Sequence, residues 1–212
     1  MKTSRHLIIS SITLLILLIA WPILMVISSP TGSIEEQLQW VSANVALYKT
    51  QFFLAFLLAP AIIYMMLVQI RWTKSRGLFT RIGLIFLSAY AVLVSIAYGS
   101  QAILIPKLLA NGLTEQAKLW YFGAPFSITF FIDLTGYFFW ALGTLCIFAT
   151  LIFRKGLMRF IGILYILSAV LSVVAFLGLL FESKVMVSMT MPSGLLIIPV
   201  AVLTLIAAFK RR

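Results

Sequence analysis

The chain has 212 residues, of which 63% are hydrophobic and 10% charged, and it carries a net charge of +11. A soluble domain is nearer half apolar and a quarter charged, so the composition excludes an ordinary soluble fold and leaves a membrane protein. The basic clusters are too small to follow a duplex and no aromatic residues interleave with them, which also excludes a nucleic-acid partner.

Six apolar runs, each about 20 residues long, are expected to cross a bilayer. They lie near 7–29, 48–70, 82–105, 127–153, 160–181 and 193–209. The first follows Lys2 and Arg5 and runs from Leu7 to Ser29. It is longer than the roughly 7–15 apolar residues of a signal peptide and reads as an anchor. The first loop, 30–47, opens after Ser29 with Pro30-Thr31-Gly32 and carries Glu35 and Glu36. Residues 34–45 are expected to form a short interfacial helix with Leu38, Trp40 and Val41 facing lipid. The third loop, 106–126, holds Pro106, Trp120, Tyr121 and Pro125, and its aromatics fall at the depth of an interfacial belt. The single cysteine, Cys146, lies within the fourth run and cannot form an internal disulfide. The last run is short and contains Pro199, which predicts a kink or little tilt.

Arginine and lysine alternate from one polar piece to the next. Lys2 and Arg5; Arg71, Lys74, Arg76 and Arg81; Arg154, Lys155 and Arg159; and Lys210, Arg211 and Arg212 occupy every second piece. The pieces between hold only Lys49, Lys107, Lys118 and Lys184, together with Glu35, Glu36, Glu115 and Glu182. The positive-inside rule then gives one all-α integral membrane domain over 1–212, with six transmembrane helices and both ends cytoplasmic. The expected location is the cytoplasmic membrane of the cell, with membrane lipids as immediate partners.

One turn sequence recurs. Arg76-Gly77-Leu78 leads to Ile82-Gly83 and Leu87-Ser88-Ala89, and Lys155-Gly156-Leu157 leads to Ile161-Gly162 and Leu167-Ser168-Ala169. Two readings stay open: a parallel repeat of hairpins, or a common way of turning between spans. With the six-span architecture, this turn resembles small bacterial membrane proteins classed as domains of unknown function. The resemblance implies a six-helix bundle and carries no activity and no site residues.

Asp133 is the only aspartate and lies within a span. Counted from Ser127, it sits about 9 Å deep at 1.5 Å per residue. An ionisable group at that depth costs a few kcal/mol and is a functional hypothesis by default. At helical spacing Asp133, Tyr137, Trp140 and Thr144 share one face, expected to look into the bundle. Gly136 and Gly143 flank it and would admit a neighbouring helix. Lys49 and Lys107 are the basic groups expected nearest to Asp133. Together with Gln51, Tyr98, Gln101 and Tyr137, Lys49 and Asp133 make a candidate polar pocket in the basic-poor half. The other half of each span reads as almost purely apolar, which argues against a channel. The structural alternative for Asp133 is an ion pair or hydrogen bond locking the fourth helix to the second or third.

Catalytic and metal motifs fail on inventory. His6 is the only histidine and falls in the polar piece before the first span, so a histidine-assisted nucleophile within the membrane is excluded. A single aspartate excludes a two-aspartate protease. No His, Cys or carboxylate group has metal-ligand spacing, and Met65, Met66, Met186, Met189 and Met191 read as apolar filling. No catalytic residue, metal or cofactor is expected. Three functions remain in competition: a non-enzymatic protein that binds or passes a small amphipathic or lipid-like molecule, a lipid-modifying enzyme using Asp133, and an accessory subunit of a larger membrane complex. A homo-oligomer or a partner membrane protein fits the first and third.

Overall fold

The structure, a computed structural model, describes residues 2–210 and the side chains of 4–210. Arg211, Arg212 and the Lys2 side chain, which belong to the charge pattern, lie outside the described residues. Every regular element among the described residues is helical. Six stretches, Ser4–Ser28, Val45–Thr73, Leu78–Ala110, Ile128–Phe153, Leu157–Leu180 and Lys184–Phe209, are long and apolar enough to cross a bilayer. The chain is a multi-pass, all-helical membrane protein.

The first span is α1 (Lys2–Ile27), interrupted at Pro22. A proline inside a helix lacks the N–H that would bond four residues back and crowds that carbonyl; here the carbonyl is that of Leu18. The short helix α2 (Ile34–Ala43) follows. Ser33 caps it: the Ser33 hydroxyl accepts from the Glu36 N–H, and the Glu36 carboxylate accepts from the Ser33 N–H at 2.6 Å, the reciprocal capping box. Leu38 and Val41 face the bundle and are fully buried, contrary to the expected lipid-facing helix. Trp40 is half-buried against the same core. The helix is a lid on the bundle end and its apolar face is covered by protein.

The second span is α3 (Val45–Thr73) and the third begins as α4 (Leu78–Gly99). The third span continues through one π-helical turn, Ser100–Leu104, into α5 (Ile105–Ala110). Pro106 accounts for the widened turn: it cannot donate to the carbonyl four residues back, and the Ile105 N–H reaches back to Ser100. A short α6 (Thr114–Trp120) crosses the same end. The fourth span is α7 (Ile128–Phe148), ending in a 3₁₀ turn over Ala149–Phe153, and the fifth is α8 (Leu157–Leu180). The sixth span consists of α9 (Lys184–Ser188), α10 (Thr190–Leu195) and α11 (Ile197–Phe209). It therefore starts well before residue 193, where hydropathy alone placed it. Pro192 and Gly194 break the pattern that would have revealed the earlier turns, and Pro199 sits in the first turn of α11, where its missing N–H matters least.

The spans form a ring in chain order: α1 packs on α3, α3 on α4, α4 on α7, α7 on α8, α8 on α11, and α11 back on α1. Its tightest seam is α4 against α7. A Cβ on Gly83 or on Gly143 would stand 2.9 Å from the other's carbonyl oxygen, so the two backbones touch. Packing and close backbone approach hold helices together in lipid, where apolar burial gives no drive. The outer face follows from the same rule: Ile12, Ile16, Ile19 and Ile23 of α1 are all exposed, on the surface that meets acyl chains. Gly77 and Gly156, the glycines of the recurring turn, both have positive φ and both precede the next span. The later glycines differ: Gly83 meets α7, whereas Gly162 meets Leu151 and Ile152 of its own hairpin. The turn is shared and the packing is not.

Candidate functional site

At the basic end the ring interior is filled by polar groups bonded to one another. Gln69 of α3 donates to the Thr204 hydroxyl of α11 at 2.7 Å and accepts from the Tyr165 hydroxyl of α8 at 2.6 Å. Tyr165 stacks on Phe148 with ring centroids 4.3 Å apart. This half was expected to be almost purely apolar; it is not: Gln69, Tyr165 and Thr204 are paired with one another and form a plug, while the buried Ser11 and Thr144 hydroxyls stand without a partner. Beside it, the Trp140 indole donates to Ser168, and Ser168, Ser172 and Ser193 bond among themselves and tie α7, α8 and α10. His6 lies within the first span and bonds the Tyr64 hydroxyl at 2.7 Å.

The basic-poor end holds a cavity of about 620 Å³. Its walls come from α1, α3, α4, α7 and the broken sixth span, with Pro30, Tyr121 and Ser188 at its loop end and Leu18, Leu58 and Ile62 at its floor. Asp133, Tyr137, Tyr98 and Gln51 all line it, so four of the six expected site residues come together. Asp133 is 3% exposed. The Tyr98 hydroxyl stands beside its carboxyl and beside Tyr137. One carboxyl oxygen, Oδ1, is buried with no hydrogen-bond partner. Across the ring, the Trp21 indole N–H is likewise without an acceptor, and Trp21 lines the same cavity. Gln51 accepts from Ser28 at 2.7 Å.

The other two residues stand elsewhere. Gln101 is fully buried in the π turn, outside the cavity lining. Its Oε1 accepts from the Tyr48 hydroxyl at 2.7 Å and the Phe122 N–H at 2.9 Å, and its Nε2 donates to the Trp120 carbonyl at 2.7 Å and to Thr129 at 3.1 Å. It pins the third loop to the bundle. Lys49 is exposed and, with Lys107, lines a separate surface groove beside Phe53 and Ile103. Neither lysine meets Asp133: among the described residues the ion pairs are Lys118 with Glu35 at 2.6 Å and with Glu115 at 2.9 Å. Of the expected lock, the ion pair is absent among the described residues, and Tyr98 of the third span stands beside the carboxyl. Long lysine stems at span ends carry the ammonium to the headgroups, which removes both cations from the interior.

The loops fold over this end rather than forming an aromatic belt. Tyr121 is buried and donates to Gln37 of α2 at 3.1 Å, and burial pushes its hydroxyl up to about 12. Trp120 is half-buried against the core. The Lys118 bridge clasps α6 to α2: the hydrogen bond and charge of Lys118 hold Glu35 below the usual carboxylate range, and hydrogen bonds from Glu35 and Glu115 raise Lys118. Trp21, Tyr90 and the residues of α10 were not anticipated as lining. Trp21 reads as one apolar residue among many in α1, and α10 fell outside the expected span.

The chain matches no family model, no curated protein and no solved structure.

Proposed function

We propose that the protein is a non-enzymatic membrane protein that binds, or passes, a small amphipathic molecule in the cavity between α1, α3, α4, α7 and α10. The observation that carries this reading is Asp133: a carboxyl that lines the cavity, with one oxygen enclosed and without a hydrogen-bond partner. Buried polar atoms are nearly always bonded, and each exception calls for a reason. A cavity of this volume falls in the range of about 300–1,000 Å³ typical of small-molecule sites. Its apolar walls with a few convergent polar groups suit a ligand that is itself part apolar. The plug formed by Gln69, Tyr165 and Thr204 argues for a site with one mouth over an aqueous pore. With the basic end cytoplasmic, the mouth faces outward from the cell membrane.

Native mass spectrometry of protein extracted in a mild detergent tests the reading. The expected result is a retained small molecule on the wild type and its loss from Trp140→Ala, which opens the wall. No retained mass, together with no saturable thermal stabilisation by any added amphiphile, would refute it. A stoichiometric protein subunit in place of a small molecule would favour the accessory role.

A further inference from the structure

Buried carboxylates in proteins are paired with a cation or a metal, because an isolated charge away from water is costly. Among the described residues Asp133 has no such partner. No lysine, arginine or histidine lines the cavity. The four basic residues at this end are accounted for elsewhere: Lys49 and Lys107 in their own groove, Lys118 on two glutamates, and Lys184 exposed at the start of α9. Around Asp133 stand aromatic rings. Tyr90 lies 5.9 Å from Tyr137 and 5.3 Å from Trp140, centroid to centroid, and these three line the cavity with Tyr98. A carboxylate ringed by electron-rich aromatic faces is the chemistry that recognises an organic ammonium.

We infer that the ligand is a lipophilic amine held as its protonated cation, with its ammonium donating to the Asp133 carboxyl among Tyr90, Tyr98, Tyr137 and Trp140. This inference rests on the ligand-binding reading and names the class of ligand. Asp133 lines the cavity with Tyr98 beside its carboxyl, so a cation entering the cavity meets the carboxyl there. A neutral alcohol would donate to the carboxyl and leave the charge uncompensated; an anionic headgroup would meet Asp133 with no cation to offset it. Trp21, on the opposite wall, adds an aromatic ring to the lining. The apolar floor at Leu18, Leu58 and Ile62 receives a hydrocarbon or aromatic body.

The test compares 4-phenylbutylamine with 4-phenylbutan-1-ol, which share one apolar body, on the full chain in an uncharged detergent at neutral pH. Thermal stabilisation and quenching of tryptophan fluorescence are read as functions of concentration. A charge-assisted hydrogen bond is about twice as strong as a neutral one, so the amine is expected to saturate at a concentration at least about tenfold lower than the alcohol. In Asp133→Asn the two should become equal. The comparison within the wild type holds even if that variant does not fold. Equal, saturable binding of amine and alcohol to the wild type would overturn the charge inference and leave the pocket standing. Failure of both to bind saturably would overturn the inference together with the binding reading. An Asp133→Asn variant that folds and still prefers the amine would also overturn it.

Discussion

The two halves of the bundle contain similar polar side chains and use them differently. At the basic end, Gln69, Tyr165 and Thr204 are bonded to each other across the ring. At the other end, Gln101 is as fully occupied as Gln69, but Asp133 and Trp21 keep an atom each without a partner and both residues line the cavity; the Ser11 and Thr144 hydroxyls are also unpaired but lie outside the cavity lining. A paired polar group in a membrane interior contributes to structure; an unpaired one on a cavity wall is poised for something that is not part of the chain. Polarity alone therefore does not mark the site. Unsatisfied polarity next to open volume does.

The largest expected effect is on the scaffold common to both halves. Gly143→Leu would drive a side chain into Leu87 and the Gly83 carbonyl, and should cost about 3 kcal/mol, the upper end of overpacking, seen as a lower unfolding temperature in detergent and lost binding. Next come the two glutamines. Gln101→Leu strands the Tyr48 hydroxyl and the Phe122 N–H and should cost about 2 kcal/mol. It should also raise hydrogen exchange in residues 114–126. Gln69→Leu should cost about 1 kcal/mol, since bonds between membrane helices are modest, and leave amphiphile binding unchanged. Binding lost in Gln69→Leu at an intact fold would erase the distinction between the halves.

Asp133 sharpens the same contrast. Were it locked to Lys49, Asp133→Leu would strand a buried cation and be strongly destabilising. With Tyr98 beside it and no cation among the described residues, Asp133→Leu should change stability by under about 1 kcal/mol while abolishing ligand stabilisation. A large loss of thermal stability would restore the lock. The smallest effect concerns the loop clasp. Glu35 is held below its usual range, so its contribution is complete at neutral pH and is lost as the pH falls through and below the carboxylate range. Lys118 is raised, so its contribution is lost only as the pH rises past the lysine range. Proteolysis of α2 and α6 should therefore be slow across neutral pH and quicken at the acid end, and Glu35→Gln should remove most of that dependence.

The spans were legible because a bilayer demands long apolar runs, and Asp133 because it is the one aspartate among them. The shared face of Asp133, Tyr137 and Trp140 followed from helical spacing. The lysines misled: Lys49 is close to Asp133 in the ring order, yet a flexible stem at a span end turns to the surface, and spacing does not encode that choice. Gln101 was placed at the right end, but its role depends on the π turn that Pro106 imposes and on the fold of the third loop. The α2 lid was recognised as amphipathic, and only the packing reveals whether such a face meets lipid or protein. The outer part of the sixth span was invisible because proline, glycine and serine interrupt its hydropathy.

The ring order has a consequence for assembly. Every seam but one joins spans adjacent in sequence, and those can zip up as each hairpin enters the bilayer. The remaining seam joins α1 to α11, where Leu7 meets Ala208 beside Val68 of α3; it is the seam of highest sequence separation, and loop closure makes such contacts slow. Trp21 and Ile197 lie on either side of that seam and both line the cavity. The pocket is thus completed only when the last helix docks on the first, and a chain halted after α8 has the carboxyl of Asp133 in place and no enclosure around it.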